Sequence, residues 1–376
     1  MNDITARLEL RPLRIPETID GPDAADFCEM VRVRNLVYRE ITGGDDDTAR
    51  PDELLPHYRP SPDETRFSWL AVWDGRVVGR VGLDIPHEAG SDTAYGLIEL
   101  LREVHGLGIG SQAAALIEQT ARKRGRHVLQ TYAEHPDEPG DRLSAPTGYG
   151  DIPRDHAARF LLRHGYTLEQ INRKSVLDLT GSAAVVDEHL ARGTAAAADY
   201  RVVHWNAPTP PEFVEGYAWL KSRMSTDAPA AGLDVDEETW DAARVARHDA
   251  RYIDADQTLL VTAAQHVETG ELAAFNELMI SSDRSGATHQ HDTLVAAGHR
   301  GHRLGMLVKC AGLVAWREIA PGSPRVVTYN AEENRPMLDI NEAIGFRPLS
   351  YEGAWKKVLS DAAGADSAGS SGTSGS

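Results

Sequence analysis

The sequence predicts an α/β (α+β) fold built twice in one chain, each copy a mixed, mostly antiparallel sheet flanked by helices. Three observations carry this reading. A strand–turn–helix stretch at residues 97–124 returns at residues 292–314, with His105 to Arg300 and Gly110 to Gly305 each 195 residues apart. A hairpin signal, Asp74-Gly75, returns as Thr269-Gly270 at the same offset. Downstream, Arg163-His164-Gly165-Tyr166 matches Ala343-Ile344-Gly345-Phe346, now 180 residues apart. Three landmarks in one order mark a duplicated domain, and the 15-residue difference places an insertion in the first copy.

The elements follow in order. Residues 8–15 alternate like a first strand, residues 24–41 are helix-like, and residues 43–62 read as an acidic, proline-bearing loop. Residues 67–73 and 77–85 form the first hairpin, and residues 94–101 are the strand entering the first turn. After the helix come a strand at 128–133, the insertion at 134–154 as a surface loop, a helix at 155–164 and a strand at 175–179. The second copy repeats this with a strand at 200–205 and helices at 211–224 and 236–254. Its hairpin is at 258–266 and 272–280, and a strand at 289–296 enters the second turn. A strand at 325–329, a helix at 337–344 and a strand at 355–359 close the chain. The expected domains are 1–180 and 199–360, with an alanine-rich helical linker at 181–198 and a disordered Gly/Ser tail at 361–376.

Composition sets limits. The 376 residues suffice for two cores, and a net charge of -18 argues against general nucleic-acid binding. The two cysteines, Cys28 and Cys310, lie in amphipathic helical patterns and read as reduced core residues. No apolar run reaches membrane-spanning length and the N-terminus has no signal-peptide pattern, so a cytoplasmic protein, monomer or homodimer, is expected. His289, His291 and Asp292 have strand spacing but no further ligand, so no metal is expected.

The second turn, His299-Arg300-Gly301-His302-Arg303-Leu304-Gly305, is basic against this acidic background. A strand running through a glycine turn into a helix presents free backbone N–H groups and the positive end of the helix dipole, a site for a pyrophosphate. Gly305 would let backbone approach a phosphate, and Arg300 and Arg303 would add charge. A dinucleotide-binding reading fails, because Gly106, Gly108 and Ser111 miss the third glycine of that motif and the turn follows an antiparallel hairpin.

With those turns, each half resembles the GNAT superfamily of acyl-CoA-dependent N-acyltransferases, whose signature is Arg/Gln-x-x-Gly-x-Gly/Ala. The first half has His105-Gly106-Leu107-Gly108-Ile109-Gly110, departing at His105. The second has Arg300-Gly301-His302-Arg303-Leu304-Gly305, departing at Arg303. Asn334 and the run Asn341-Glu342-Ala343-Ile344-Gly345-Phe346 look like the family's Asn-x-x-Ala and Tyr-Glu-x-x-Gly-Phe segments. The two-copy layout is similar to the mycothiol-synthase-type group. The resemblance implies a splayed central strand pair, acetyl-CoA or another acyl-CoA as co-substrate, and transfer to an amine by direct attack on the thioester. It implies a cofactor site at Leu294, Val295, Arg300, Gly301, His302, Arg303, Leu304, Gly305, Met306 and Asn334. Its first-half counterpart is His105, Gly106, Gly108, Gly110 and Ser111.

Acyl transfer needs a base for the amine, a donor for the oxyanion and help for the departing thiolate. At the 195 offset Glu277 aligns with Gly82 and Asp292 with Leu97; at the 180 offset Asn341 aligns with Leu161. Polar groups in the second half therefore face apolar residues or glycine in the first. Glu277, Asp292 and Asn341 are the catalytic candidates, and the second half is expected to carry turnover. Glu99 and Glu103 are rivals, and the family's acid Tyr is replaced by Asn341, leaving Tyr329 as another possible donor. A small-molecule amine, cationic given the acidic runs Asp45-Asp46-Asp47 and Asp137-Glu138, is the expected acceptor. The alternatives are a non-catalytic acyl-CoA sensor or scaffold and a protein N-acetyltransferase.

Overall fold

The computed structural model describes residues 7–136 and 139–360. The first copy runs β1 (Leu8–Pro12), α1 (Ala25–Thr42), α2 (Pro51–Tyr58), β2 (Glu64–Trp73), β3 (Arg76–Pro86), β4 (Thr93–Leu100), α3 (Ile109–Lys123) and β5 (Val128–His135). Then come β6 (Arg142–Ser144), β7 (Asp151–Pro153), α4 (His156–Arg163) and β8 (Thr167–Asp178). A joining helix, α5 (Ala183–Ala196), follows. The second copy runs β9 (Tyr200–Asn206), α6 (Pro211–Asp227), α7 (Ala242–Asp254), β10 (Thr258–His266), β11 (Leu272–Ile280) and β12 (Thr288–Val295). It ends with α8 (Leu304–Ile319), β13 (Arg325–Ala331), α9 (Arg335–Ile344) and β14 (Arg347–Val358).

The two copies share one 12-stranded sheet in the order β1-β2-β3-β4-β5-β14-β8-β13-β12-β11-β10-β9. Its centre is an exchange. β14, the last strand of the second copy, pairs with β5 of the first, and β8, the last of the first, pairs with β13 of the second. β8 and β14 also pair with each other, so backbone hydrogen bonds run unbroken across the molecule. The joining helix is part of the core: Val186 is buried with Leu313 and Trp316. A Cβ at Gly193 would lie 3.3 Å from Leu307 Cα, so this glycine lets α5 and α8 touch.

Two departures from the expected elements have local causes. The loop expected at residues 43–62 contains α2, which starts with Pro51 in its first turn and the Glu53 carboxylate accepting from Arg50 N at 3.0 Å. The insertion carries a ribbon, β6 with β7, held by the Arg142–Asp151 ion pair. The acidic pair Asp137-Glu138 and the Gly/Ser tail at 361–376 lie outside the described residues. Both cysteines are free, Cys310 buried and Cys28 half-buried. Among the described residues no helix is long and apolar enough to cross a membrane.

Candidate functional site

Each copy contains a divergent parallel pair. β12 pairs with β13 only from Thr288 to Gln290, and β4 pairs with β5 only from Thr93 to Tyr95. Beyond those points the strands part, leaving the β13-facing edge of β12 and the β5-facing edge of β4 without strand partners. Trp316 fixes α8 over the second notch by donating its indole N–H to Thr288 Oγ1 at 2.7 Å.

The two notches differ in one backbone detail. β3 and β4 pair in unbroken register, with Gly82 opposite Leu97. β11 and β12 shift register between Asn276 and Leu278, so His291 and Asp292 together stand against Glu277. This is a β-bulge on β12, a device that re-aims side chains and frees backbone groups. It also changes the alignment. Val295 and Leu100 keep the 195 offset, but Gln290 falls at the place of Gly96, 194 residues earlier. Asp292 therefore has no single counterpart in the first copy.

The bulge brings Glu277 and Asp292 to one cation. Lys221, on α6, donates to Asp292 Oδ2 at 2.6 Å and to Glu277 Oε1 at 3.1 Å. The Tyr217 hydroxyl, one helical turn earlier, also donates to Glu277 Oε1. Glu277 is buried, whereas the Asp292 side chain is 38 % exposed. Burial works against the charge on Lys221, but the Asp292 and Glu277 carboxylates outweigh it and raise its pKa. Burial likewise opposes the Asp292 carboxylate, and Lys221 outweighs it and holds the Asp292 pKa below the ordinary value. The sequence reading missed Tyr217 and Lys221. Their signal was a polar i, i+4 pair on the buried face of a helix otherwise facing an apolar core.

The expected cofactor turn has the left-handed residues such a turn needs. Gly301 has φ +91 and Arg303 has φ 56, at the place where the first copy has Gly108 at φ +88. An arginine there costs about 1–2 kcal/mol of backbone strain. Arg300 is exposed, its guanidinium 3.6 Å from Asp227. His299 Nδ1 meets the Tyr200 hydroxyl at 2.9 Å, and the His302 ring lies 5.5 Å from the Tyr200 ring. α8 starts at Leu304, which is buried. A Cβ at Gly305 would meet Ile340 Cδ1 at 2.9 Å, so this glycine lets α8 pack closely on α9. Met306 Sδ is 3.6 Å from Cys310 Sγ. Leu294 buries its side chain among Trp205, Tyr217 and Phe275, leaving only its backbone toward the notch; Val295 is half-buried beside Gly305. Asn334 caps α9 with its carbonyl, which accepts from Leu338 N at 3.0 Å.

Asn341 lies away from Glu277 and Asp292, buried between α8 and α9. Its Oδ1 accepts from Lys309 Nζ at 2.9 Å, and its Nδ2 donates to Asn330 Oδ1 at 2.7 Å. Tyr329 stands beside Lys174, with Nζ 5.3 Å from the ring centre. Burial and the carboxylates Glu134, Asp47 and Glu352 push its phenol far upward, which opposes giving it a charge.

In the first copy the turn is tied to α4. The His105 ring stacks on His156 at 4.2 Å, and Ser111 Oγ meets His164 Nε2 at 3.0 Å. Gly106 has φ +79, and a Cβ at Gly110 would meet Phe160 at 3.0 Å. Glu99 is buried against Arg80, with contacts of 2.6 and 2.8 Å, while the rival Glu103 pairs at the surface with Arg76.

Between the copies lies a cavity of about 300 Å3, lined by Asp63, Glu64, Glu88, Asp236, Glu238 and Trp240 among others. The Trp240 ring is 5.0 Å from Lys221 Nζ, which sets this acidic hollow beside the Asp292 carboxylate. Its acids are partly balanced, Arg247 pairing with Asp63 and Arg244 with Glu88 and Glu238.

Residues 32–143 match the model of the acetyltransferase (GNAT) family. Among solved structures, the chain is similar to a tandem GNAT protein from the clavulanic acid biosynthesis pathway, solved without acetyl-CoA. The identity is 23%, covering 94% of this chain and 99% of that one, with a TM-score of 0.70. A GCN5-related N-acetyltransferase from Sphaerobacter thermophilus matches at 12% identity, covering 94% and 96%, with a TM-score of 0.59. No curated protein matches the chain in sequence. The fold expected from the sequence is therefore the observed one: two GNAT folds in tandem.

Proposed function

We propose that this tandem GNAT-fold chain, whose residues 32–143 match the acetyltransferase (GNAT) family model, moves an acetyl or other short acyl group from acyl-CoA to a primary amine of a small molecule, with the chemistry in its second copy. The observation that carries this is the β12 bulge. It sets His291 and Asp292 opposite Glu277 at the mouth of the splayed pair, where the first copy has an unbroken strand with Leu97 opposite Gly82.

In this reading the pyrophosphate rests on the turn at residues 300–306, where the free N–H groups of α8 and the two arginines favour anions. The thioester arm runs down the notch along the backbone of Thr293, Leu294 and Val295, at the strand edge that β13 leaves open. The amine enters from the acidic cavity beside Trp240. Its nitrogen lone pair attacks the thioester carbonyl carbon, and the oxygen takes the displaced electron pair against backbone N–H groups of the bulge. The ammonium proton passes, through water, to Asp292. The carbon–sulfur bond then breaks, its electron pair leaving on the CoA sulfur, which takes up a proton to complete the thiol. Lys221 fixes Asp292, and Glu277, buried and already accepting from Tyr217 and Lys221, holds Lys221 rather than taking the proton itself. The acidic cavity favours a cationic acceptor.

The test is thiol release from acetyl-CoA with a panel of primary amines. Amine-dependent release, faster with di- and polyamines than with neutral-bodied amines, is the expected result. No release with any amine, despite acetyl-CoA binding, would favour the non-catalytic sensor instead.

A further inference from the structure

The polar chain between α8 and α9 has a direction. Lys309 is fully buried and Asn341 is 1 % exposed, so neither can rely on bulk water. Lys309 Nζ donates to Asn341 Oδ1, which leaves the Asn341 NH2 to donate to Asn330. Asn330 then has to accept with its own oxygen, which leaves its NH2 as the free end. Asn330 is half-buried on β13, two residues beyond Thr328, where β13 parts from β12. The chain thus starts at the buried Lys309 amine and ends as a donor at the splayed pair.

The first copy serves as an internal control. Gly110 packs on Phe160 as Gly305 packs on Ile340, so the two helix pairs are equivalent. Ala114, four residues after Gly110, stands where Lys309 does, and Leu161, next after Phe160, stands where Asn341 does. Asn330 pairs with Arg173 on β8, and Ala133 pairs with Gly353 on β14, positions 180 residues apart. All three polar residues of the second copy are therefore apolar in the first. A lysine buried merely for packing would not need two amides in line behind it, and burying its charge is costly. The cost is visible as a pKa pushed down to about 7 by burial, on which the neighbouring Cys310 thiol, itself pushed up to about 12 by burial, also bears.

We propose that Lys309 is a positioning residue that acts through Asn341 to aim the Asn330 amide N–H at the sulfur of CoA, stabilising the thiolate as it leaves. This rests on the reading of the second copy as the acyl-CoA site. It gives the leaving group a donor where the family tyrosine is replaced by Asn341.

The experiment needs no acceptor: calorimetry of CoA against desulfo-CoA, read at the site whose affinity the Arg300→Ala, Arg303→Ala double variant weakens. At about pH 8.5, where an ordinary thiol is half ionised, the wild type should prefer CoA by about tenfold, the scale of one hydrogen bond to a charged group, and the preference should shrink as the pH falls and the thiol is protonated. Asn330→Ala, the residue type found at the matching Ala133 of the first copy, should erase that preference while leaving desulfo-CoA affinity unchanged, with melting curves to show that it folds. Lys309→Met should do the same, with melting curves to show that it folds. An undiminished preference in folded Asn330→Ala would overturn the proposal while leaving the acyl-CoA site intact. CoA affinity indifferent to the Arg300→Ala, Arg303→Ala change would instead remove the site reading, and the proposal with it.

Discussion

The Lys221 ammonium lies 2.6 Å from the Asp292 carboxylate, and it reaches there from a helix 71 residues earlier in the chain. The same nitrogen holds Glu277, so one cation binds α6, β11 and the bulge of β12 together.

Removing that cation should be costly. Lys221→Met leaves the Glu277 carboxylate buried with only the Tyr217 hydroxyl donating to it and no cation, a loss of about 3–5 kcal/mol. Urea unfolding at neutral pH measures it. The pH dependence follows from the shift directions. The raised Lys221 pKa gives stability that is full below its ordinary value of 10.5 and lost as pH rises through the folded value. The lowered Asp292 pKa gives stability present above 3.8 and lost as pH falls through the folded value. The wild-type advantage over the variant should therefore be widest between those limits. An advantage that grows on acidification would contradict the pairing.

Lys309 should show the opposite sign. Its folded pKa of about 7 lies below the ordinary 10.5, so the unfolded chain holds the extra proton between these values. Stability should rise with pH across that window, and Lys309→Met should flatten the rise. Parallel wild-type and variant curves from pH 7 to about 10.5 would show that Lys309 does not titrate there.

Much of this was legible in the sequence. Two of the landmark pairs, Gly75 with Gly270 and Gly165 with Gly345, are glycines at positive φ, which other residues rarely tolerate, while Gly110 and Gly305 are kept by tight packing on Phe160 and Ile340. The bulge was not legible, because its extra residue on β12 is offset by one residue fewer in the connection from β11, so both flanking landmarks stay at offset 195 and only the residues between them shift. Glu277 and Asp292 were visible as polar positions facing Gly82 and Leu97; their shared partner was not, because Lys221 lies on a different element. The strand exchange was invisible too, since β8 and β14 read alike and nothing local says which copy each one joins.

Arg303 offers a clean separation of backbone from charge. Arg303→Gly should relieve about 1–2 kcal/mol of left-handed strain and so raise the melting temperature. It should also weaken acyl-CoA by roughly tenfold through loss of one charge-assisted phosphate contact. Tighter acyl-CoA binding would mean that the guanidinium does not meet the phosphates.

The exchanged strands predict that the halves do not fold apart. A fragment ending at residue 180 would keep β8 but lose both its partners, β13 and β14, and would expose β5. Circular dichroism and gel filtration of that fragment should show aggregation or loss of structure. A soluble, cooperatively melting monomer would show that the first copy closes its own sheet.

The central claim is that Asp292 takes the amine proton in the second copy. The most direct measurement is kcat for CoA release from acetyl-CoA by Asp292→Asn, with acetyl-CoA affinity measured alongside. The claim requires kcat to fall on the order of 10²–10⁴-fold, the worth of a general base, with affinity nearly unchanged because Asp292 stands away from the phosphate turn. An Asp292→Asn enzyme that turns over at the wild-type rate would contradict it.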